Sequence, residues 1–221
     1  MNAWASRIDW PEIGQATVDT LLMLVGSLGF TVLLGLPLGI LLFLTGKRQL
    51  LEQRLVYQAL SFAVNVFRSV PFFILLILMI PVTVAITGTS LGVVGAIPPL
   101  VMGATPFFAR LIETALREVD HGIVEAAQSI GAKKWQIVCW ALLPEALPGI
   151  CAAITVTSIA LVSYAAMSGV IGGGGLGDLA IRFGYQRFRT DVMIVTVVLL
   201  LILVQILQWS GDRFVIRFTR K

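Results

Sequence analysis

The sequence is poor in charge: Asp, Glu, Lys and Arg make up 13% of its 221 residues, against about 25% in an ordinary soluble domain. It has one histidine and two cysteines, with neither a CxxC pair nor a His cluster, so the patterns of zinc and redox sites are missing. Cys139 and Cys151 are expected to be small buried thiols. No G-x-x-x-x-G-K-[ST] run occurs, so the chain has no P-loop and ATP must be handled by a partner. No Asp or Glu lies well inside an apolar run. That argues against a strongly charged substrate site and against an ion-coupled secondary transporter, which would use intramembrane carboxylates or histidines. A membrane-embedded enzyme would need a nucleophile with its base, or a metal cluster, near membrane depth. The single His121 falls in a polar stretch without a second ligand and is expected to be a solvated loop residue.

Apolar residues, by contrast, make up 57% of the chain. A hydrocarbon core about 30 Å thick takes about 20 apolar residues in a helix, and five runs meet or approach that length. They cover about Thr20 to Leu44, Ala59 to Pro81, Thr83 to Phe108, Ile150 to Ile171 and Val192 to Trp209. The third is weaker, broken by Gly92, Gly95, Pro98 and Pro99, and is expected to pack inside the bundle. Backbone polar groups left unpaired in lipid are costly, so each run must be helical. The expected fold is an all-α integral membrane protein with five transmembrane helices and no repeated half, unlike the inverted repeats of many secondary transporters. The net charge of +4 lies between the apolar runs rather than in a patch or stripe, which excludes a nucleic-acid partner.

The first residues lack the basic n-region and cleavage site of a signal peptide and carry Asp9, Glu12 and Asp19. Residues 1–19 are therefore expected to stay attached as an extracytoplasmic lead-in, with Trp4 and Trp10 at the lipid boundary where indoles are favoured. Residues 20–221 are expected to form one membrane domain. With the N-terminus outside and the C-terminus cytoplasmic, Lys47, Arg48, Arg54, Arg110, Arg117, Lys133, Lys134, Arg213, Arg217, Arg220 and Lys221 fall on the cytoplasmic side. Only Arg7, Arg182, Arg187 and Arg189 fall outside, and such an excess marks the cytoplasmic face. The polar stretch of about 111–146 is then a cytoplasmic loop.

That loop reads EAAQSIGAKKWQIVCWALLPEALPGI. Glu125, Ala126 and Ala127 are followed by Gly131 and then by Leu143 and Pro144. These residues suit a short helix that docks into a groove of another protein: alanines keep its face slim, and a carboxylate near its start is favoured by the helix dipole. Gly131 can take a positive φ and end the helix, and Pro144 suits the first turn of the next one. In this pattern the sequence resembles the permease family of ATP-binding-cassette importers, with Ala141 in a slot where Ile is more usual. The stretches NVFRSVPFFILL, GATPFFARLIETAL, LLPEALPGI and GGGGLGDLA are more closely similar to methionine-importer permeases, over nearly the whole chain.

The resemblance implies the fold of a type I importer permease, working as a homodimer in the bacterial inner membrane. It further implies two copies of a separate ATPase subunit, which uses ATP and Mg while this chain holds no cofactor, and an extracytoplasmic methionine-binding lipoprotein. Methionine is the implied cargo, with another amino acid or small solute as the alternative.

Gly172, Gly174 and Gly177 also satisfy G-x-G-x-x-G, but that fingerprint needs a preceding strand, and here a membrane-length run precedes it. The glycines are expected to mark a bend or a close backbone approach. Arg68 lies well within the second run. It either lines the pathway, pairs with a carboxylate, or snorkels from a helix that begins later. Tyr164, Met167 and Ser168, just before the glycines, are candidates to line the pathway, although Ser and Thr commonly bond back to helix carbonyls. Gly35 and Gly39 form a small-xxx-small pair fit for close helix packing.

Overall fold

The structure is a computed structural model and describes residues 9–219. Trp4 and Arg7 of the expected lead-in, and Arg220 and Lys221 of the tail, lie outside the described residues. Every regular element among the described residues is helical. The α-helices are α1 (Trp10–Thr45), α2 (Arg54–Ser69), α3 (Phe72–Leu78), α4 (Ile80–Thr87), α5 (Gly92–Arg117), α6 (His121–Ser129), α7 (Lys134–Gln136), α8 (Leu143–Glu145), α9 (Leu147–Ser168), α10 (Gly175–Leu179) and α11 (Thr190–Phe218). Four of them, α1, α5, α11 and α9 with its 3-10 extension to Ile171, are long and apolar enough to cross a membrane. The pair α2 and α3 passes the same test as one interrupted span.

Several boundaries depart from the sequence expectation. Helix α1 starts at Trp10, so residues 10–19 of the expected lead-in continue the first span as helix. Asp9 caps it, accepting from the Glu12 N–H at 3.3 Å. The run 59–81 is not one helix: the chain breaks at Val70 and Pro71, where Pro71 has φ −56° and ψ 131°. A proline lacks the N–H that would continue α2, and it disfavours helical backbone in the residue before it. The third span is displaced toward the C-terminus, and Pro98 and Pro99 lie inside α5 instead of breaking it. Their fixed φ is helical, and their missing donors leave only the carbonyls of Val94 and Gly95 without an i+4 partner. Of the four candidate spans, α5 has the largest buried share, 44%, and α11 the smallest, 11%. Finally, α5 runs to Arg117, so the loop expected from 111 begins at 118.

The chain divides into two compact units. One contains residues up to 30, 70–104 and 158–207. Its core joins Met23 and Leu24 of α1, Ala96, Leu100 and Ala104 of α5, and Leu161, Val162 and Ala165 of α9. The glycine-rich turn after α9 belongs here: Gly92 N–H donates to the Gly172 carbonyl at 2.9 Å, and Leu176 N–H donates to Thr20 Oγ1 at 2.9 Å. Gly177 and Gly169 each sit where a Cβ would strike backbone, of Ala166 and of the 177–178 segment respectively. The glycines thus serve close approach within a helical membrane domain.

The other unit contains 31–69, 105–157 and residues from 208 onward. Its core joins Phe43 and Leu44 of α1 to Phe108, Ile112 and Leu116 of α5 and to Ile137, Leu142, Ala146 and Ile150 further along. Gly35 and Gly39 make this possible. A Cβ on Gly35 would come 2.8 Å from Phe108 Cδ1, and one on Gly39 2.6 Å from the Ala109 carbonyl oxygen. Lipid tails are as apolar as Leu, so helices in a bilayer are held by close packing rather than by escape from water. This contact therefore matters more here than it would in a soluble bundle.

Gly39→Ala should lower the thermal stability of the detergent-purified protein by about 1–3 kcal/mol, the usual range for overpacking. Gly29→Ala, where nothing lies within 4 Å of the added Cβ, should change it little. Equal melting shifts in the two variants would contradict the packing role of Gly39.

Candidate functional site

The segment between α5 and α9 is built around α6. Asp120 precedes it with φ −60° and ψ 127°, and its carboxylate accepts the Gly122 N–H at 2.8 Å, which is the N-cap geometry. Glu125 is the fifth residue of α6 rather than near its start, so Asp120, not Glu125, meets the positive end of the helix dipole. The C-terminus is closed by two bonds: Gly131 N–H to the Gln128 carbonyl at 2.9 Å and Ala132 N–H to the Ala127 carbonyl at 3.1 Å. With Gly131 at φ 78°, this is a Schellman motif, and the sequence expectation for that glycine holds.

Ile123, Val124 and Ala127 pack against the core, while Glu125, Ala126, Gln128 and Ser129 are exposed. The two alanines therefore differ: Ala127 lies against its own chain and Ala126 faces out. Ile130 is 85% exposed at the tip of the loop. Trp135 and Trp140 are exposed and form an edge-to-face pair with centroids 5.4 Å apart. They are five residues apart, and the helix between them widens into a π-helical turn, Ile137–Leu142.

That turn ends with Leu143 N–H bonded to the Val138 carbonyl. Pro144 follows in the first turn of α8, where its missing N–H leaves no donor unpaired. Leu143 is half-buried and Pro144 exposed. Cys139, expected to be buried, is exposed and free, while Cys151 is half-buried. Cys139 lies two residues after buried Ile137 and three before buried Leu142, on the other side of the helix. His121 is the exposed first residue of α6. No group of His, Cys, Asp and Glu suited to a metal ion occurs among the described residues.

The pathway candidates fall in different surroundings. Arg68 is in the last turn of α2, two residues before the break, exposed, with its guanidinium 5.9 Å from the Phe107 ring centroid. It is thus at a helix end rather than mid-helix. In the other unit, Tyr164 is half-buried and stacked on Phe72 with centroids 4.2 Å apart and planes 9° from parallel. Met167 is 43% exposed. Ser168 is fully buried, its hydroxyl donating to the Ala165 carbonyl at 2.7 Å, so in this conformation it serves the helix end and lines no open path.

One constellation was missed by sequence reasoning. Glu113 of α5 has a side chain only 2% exposed. Its carboxylate accepts from Arg110 at 2.5 Å, Arg117 at 2.6 Å and the Tyr57 hydroxyl at 3.2 Å. Arg110 also donates to Ser61 Oγ and Asn65 Oδ1, each at 2.8 Å. A carboxylate therefore does lie buried in a span-length helix. The available signal was periodicity: Arg110, Glu113 and Arg117 share one helix face, and so do Tyr57, Ser61 and Asn65.

Comparison with known proteins gives a consistent picture. Residues 35–220 match the family described as binding-protein-dependent transport system inner membrane component. The chain is 53% identical over 204 residues to the probable D-methionine transport system permease protein MetI of Vibrio cholerae, covering 91% of this chain and 90% of that protein. It is 48% identical to the methionine import system permease protein MetP of Bacillus subtilis, covering 93% of each. A permease chain from inward-facing conformations of the MetNI methionine ABC transporter superposes with a TM-score of 0.93 at 46% identity, over 95% of this chain and 97% of that one. An amino acid ABC transporter solved with histidines shares the fold, with a TM-score of 0.80 at 18% identity.

Gly131→Ala should leave α6 formed but raise the cost of the left-handed turn by roughly 1–2 kcal/mol. Hydrogen exchange of peptides covering 126–134 should then accelerate about fivefold to thirtyfold. Unchanged exchange would mean that the Schellman closure does not depend on the glycine.

Proposed function

The chain belongs to the family of binding-protein-dependent transport system inner membrane components, and from that premise we propose that it is the permease subunit of an ATP-driven methionine importer. The observation that carries this is the loop after α5: a short helix capped at both ends, rooted by Ile123, Val124 and Ala127 and exposed along Glu125 and Ala126. Such an element transmits force to or from a partner bound on its outer face. Methionine as cargo follows from the relatives' names.

In this proposal the chain does not hydrolyse ATP and needs no cofactor. Two copies of a separate ATPase subunit use ATP and Mg, each docking on the loop formed by Glu125, Ala126, Ala127, Gly131, Leu143 and Pro144. Two permease chains form a homodimer, because four or five spans must also supply packing and lipid contact and leave little room for an aqueous passage. An extracytoplasmic lipoprotein delivers the substrate. The N-terminus lies outside and residues 118–146 in the cytoplasm, following the Lys and Arg asymmetry. ATP binding draws the ATPase subunits together, α6 follows, and the passage exchanges inward for outward access. A zwitterionic thioether needs apolar and π contacts more than a counter-charge. Tyr164 and Met167 are the candidates to meet it, with Ser168 holding the end of their helix, and Arg68 is a separate candidate at the end of α2.

ATP-dependent uptake of labelled methionine into vesicles holding the reconstituted complex tests the function. Unlabelled methionine should compete and arginine or glutamate should not, and the reverse pattern would give the transporter a different cargo. Orientation can be read from native Cys139 in a Cys151→Ser background. In intact cells a membrane-permeant maleimide should label it and an impermeant one should not, and labelling by the impermeant reagent would invert the topology.

Ala126→Arg places a long cation on the outward face of α6, where burial against a partner without a counter-charge costs roughly 2 kcal/mol or more. It should reach the membrane at normal levels and melt normally, yet lose most uptake. Ala127→Arg should instead destabilise the loop, because Ala127 packs on its own core. Full uptake by the Ala126→Arg protein would remove the docking role from α6.

A further inference from the structure

Helix α2 has a thin apolar attachment. Val64 is its only fully buried side chain, packed with Leu42 and Ala109. Tyr57 and Leu60 pack beside it and Arg68 lies over Phe107, and the polar fastening to α5 is the Glu113 cluster, which binds Tyr57, Ser61 and Asn65 at intervals of four residues along α2. An ion cluster of this kind is a poor way to gain stability, because desolvating the charges offsets most of their attraction. What it does supply is register. Tyr57, Ser61 and Asn65 meet Arg110, Glu113 and Arg117 at one rotation and one axial setting of α2, and a slip of one helical turn, about 5.4 Å, would break these bonds between the helices while the two Arg–Glu pairs within α5 stay.

The position of the cluster gives that register a use. Only Glu118 and Val119 separate the end of α5 from the N-cap Asp120 of α6. Leu116 and Val119 share a core with Ile123, Val124 and Ala127 of α6. A displacement of α6 therefore acts directly on the last turns of α5, where Arg110, Glu113 and Arg117 lie.

We propose that Glu113 is a positioning residue of the transport cycle, its carboxylate holding Arg110 and Arg117 where they and it bind Tyr57, Ser61 and Asn65, so that α2 stays in register with α5 and a displacement of α6 is carried into α2. This rests on the permease reading above. It requires α2 and α5 to move as one body between nucleotide states.

The test uses the complete complex in vesicles. Glu113→Gln keeps the shape of the side chain but cannot neutralise two arginines. The variant complex should co-purify with its ATPase and hydrolyse ATP near the wild-type rate, while methionine taken up per ATP falls roughly twofold to thirtyfold, the range seen when coupling elements are altered. Tyr57→Phe, which removes the bonds of that hydroxyl to Glu113 and Arg117 but leaves Arg110 on Ser61 and Asn65, should give a smaller loss and serves if Glu113→Gln fails to assemble. A structural role alone would lower yield and leave that ratio unchanged.

A second measurement does not depend on uptake. Spin labels on Ala59→Cys in α2 and Thr114→Cys in α5, both exposed positions, should report a distance that stays constant between nucleotide-free and ATP-bound complexes. In the Glu113→Gln protein that distance should broaden or shift with nucleotide. An unchanged uptake-to-ATP ratio in Glu113→Gln, or a wild-type distance that shifts between states, would overturn the lock. A wild-type complex with no methionine uptake would instead strike the proposed function, leaving the spin-label distance to judge the lock by itself.

Discussion

Hydrocarbon offers a peptide group nothing to bond to, and each N–H or C=O left open there costs several kcal/mol. That constraint makes the spans helical and governs how the chain leaves a helix at their ends, and outside them the same bonding closes the turns. At the glycine-rich turn the freed groups bond within the protein: Gly173 N–H to the Ser168 carbonyl at 3.0 Å, Gly92 N–H to the Gly172 carbonyl at 2.9 Å, and Leu176 N–H to the Thr20 hydroxyl. At the end of α6 the Schellman bonds do the same, and before Pro144 the π turn supplies Leu143 N–H with the Val138 carbonyl. The glycines are there because these bonds need either a left-handed residue or backbones in contact.

Much of the fold was legible because lipid simplifies the code. A run of about 20 apolar residues has few structural options, so α1, α9 and α11 were found with errors confined to their ends. The second and third spans were read less well for a physical reason. Proline is both a helix breaker and, within a membrane domain, a tolerated helix residue. Pro71 breaks the chain, whereas Pro98 and Pro99 do not. Local sequence does not separate these cases, since the outcome depends on what packs beside each proline. In α5 the residues around and after the pair, Ala96, Leu100 and Ala104, are almost wholly buried.

The loop after α5 was legible as a spacing, and the spacing has a mechanical meaning that the individual residues lack. Gly131 needed no partner to be interpreted, because a glycine four residues after Ala127 closes a helix in a way that local backbone chemistry alone dictates. The inward turn of Ala127 and the outward turn of Ala126 were not legible, since they depend on how α6 rolls against Leu116, Ile137 and Leu142. Glu113 was hidden by a boundary. With the third span ended at residue 108, Arg110 and Arg117 count as cytoplasmic flanking charges and Glu113 falls unremarked in the polar stretch from about 111. Extending the helix to Arg117 turns the same three residues into one face.

The difference between those two views of Glu113 is a difference in what the charge costs. In a hydrated loop a Glu between two Arg residues is worth little, and such pairs are often near zero. Buried at the end of a span-length helix, the carboxylate must be matched by donors that cannot be withdrawn singly without a large penalty. Arg110, Arg117 and Tyr57 are those donors. Packing in lipid lets helices slide or roll at modest cost where side chains are small or smooth, as the exposed apolar face of α2 at Leu55, Phe62 and Val66 would allow. A matched buried charge forbids that motion. Helix α2, with Val64 its one fully buried side chain, is therefore held by neutral groups bonded to an ion cluster on the helix that runs on toward α6.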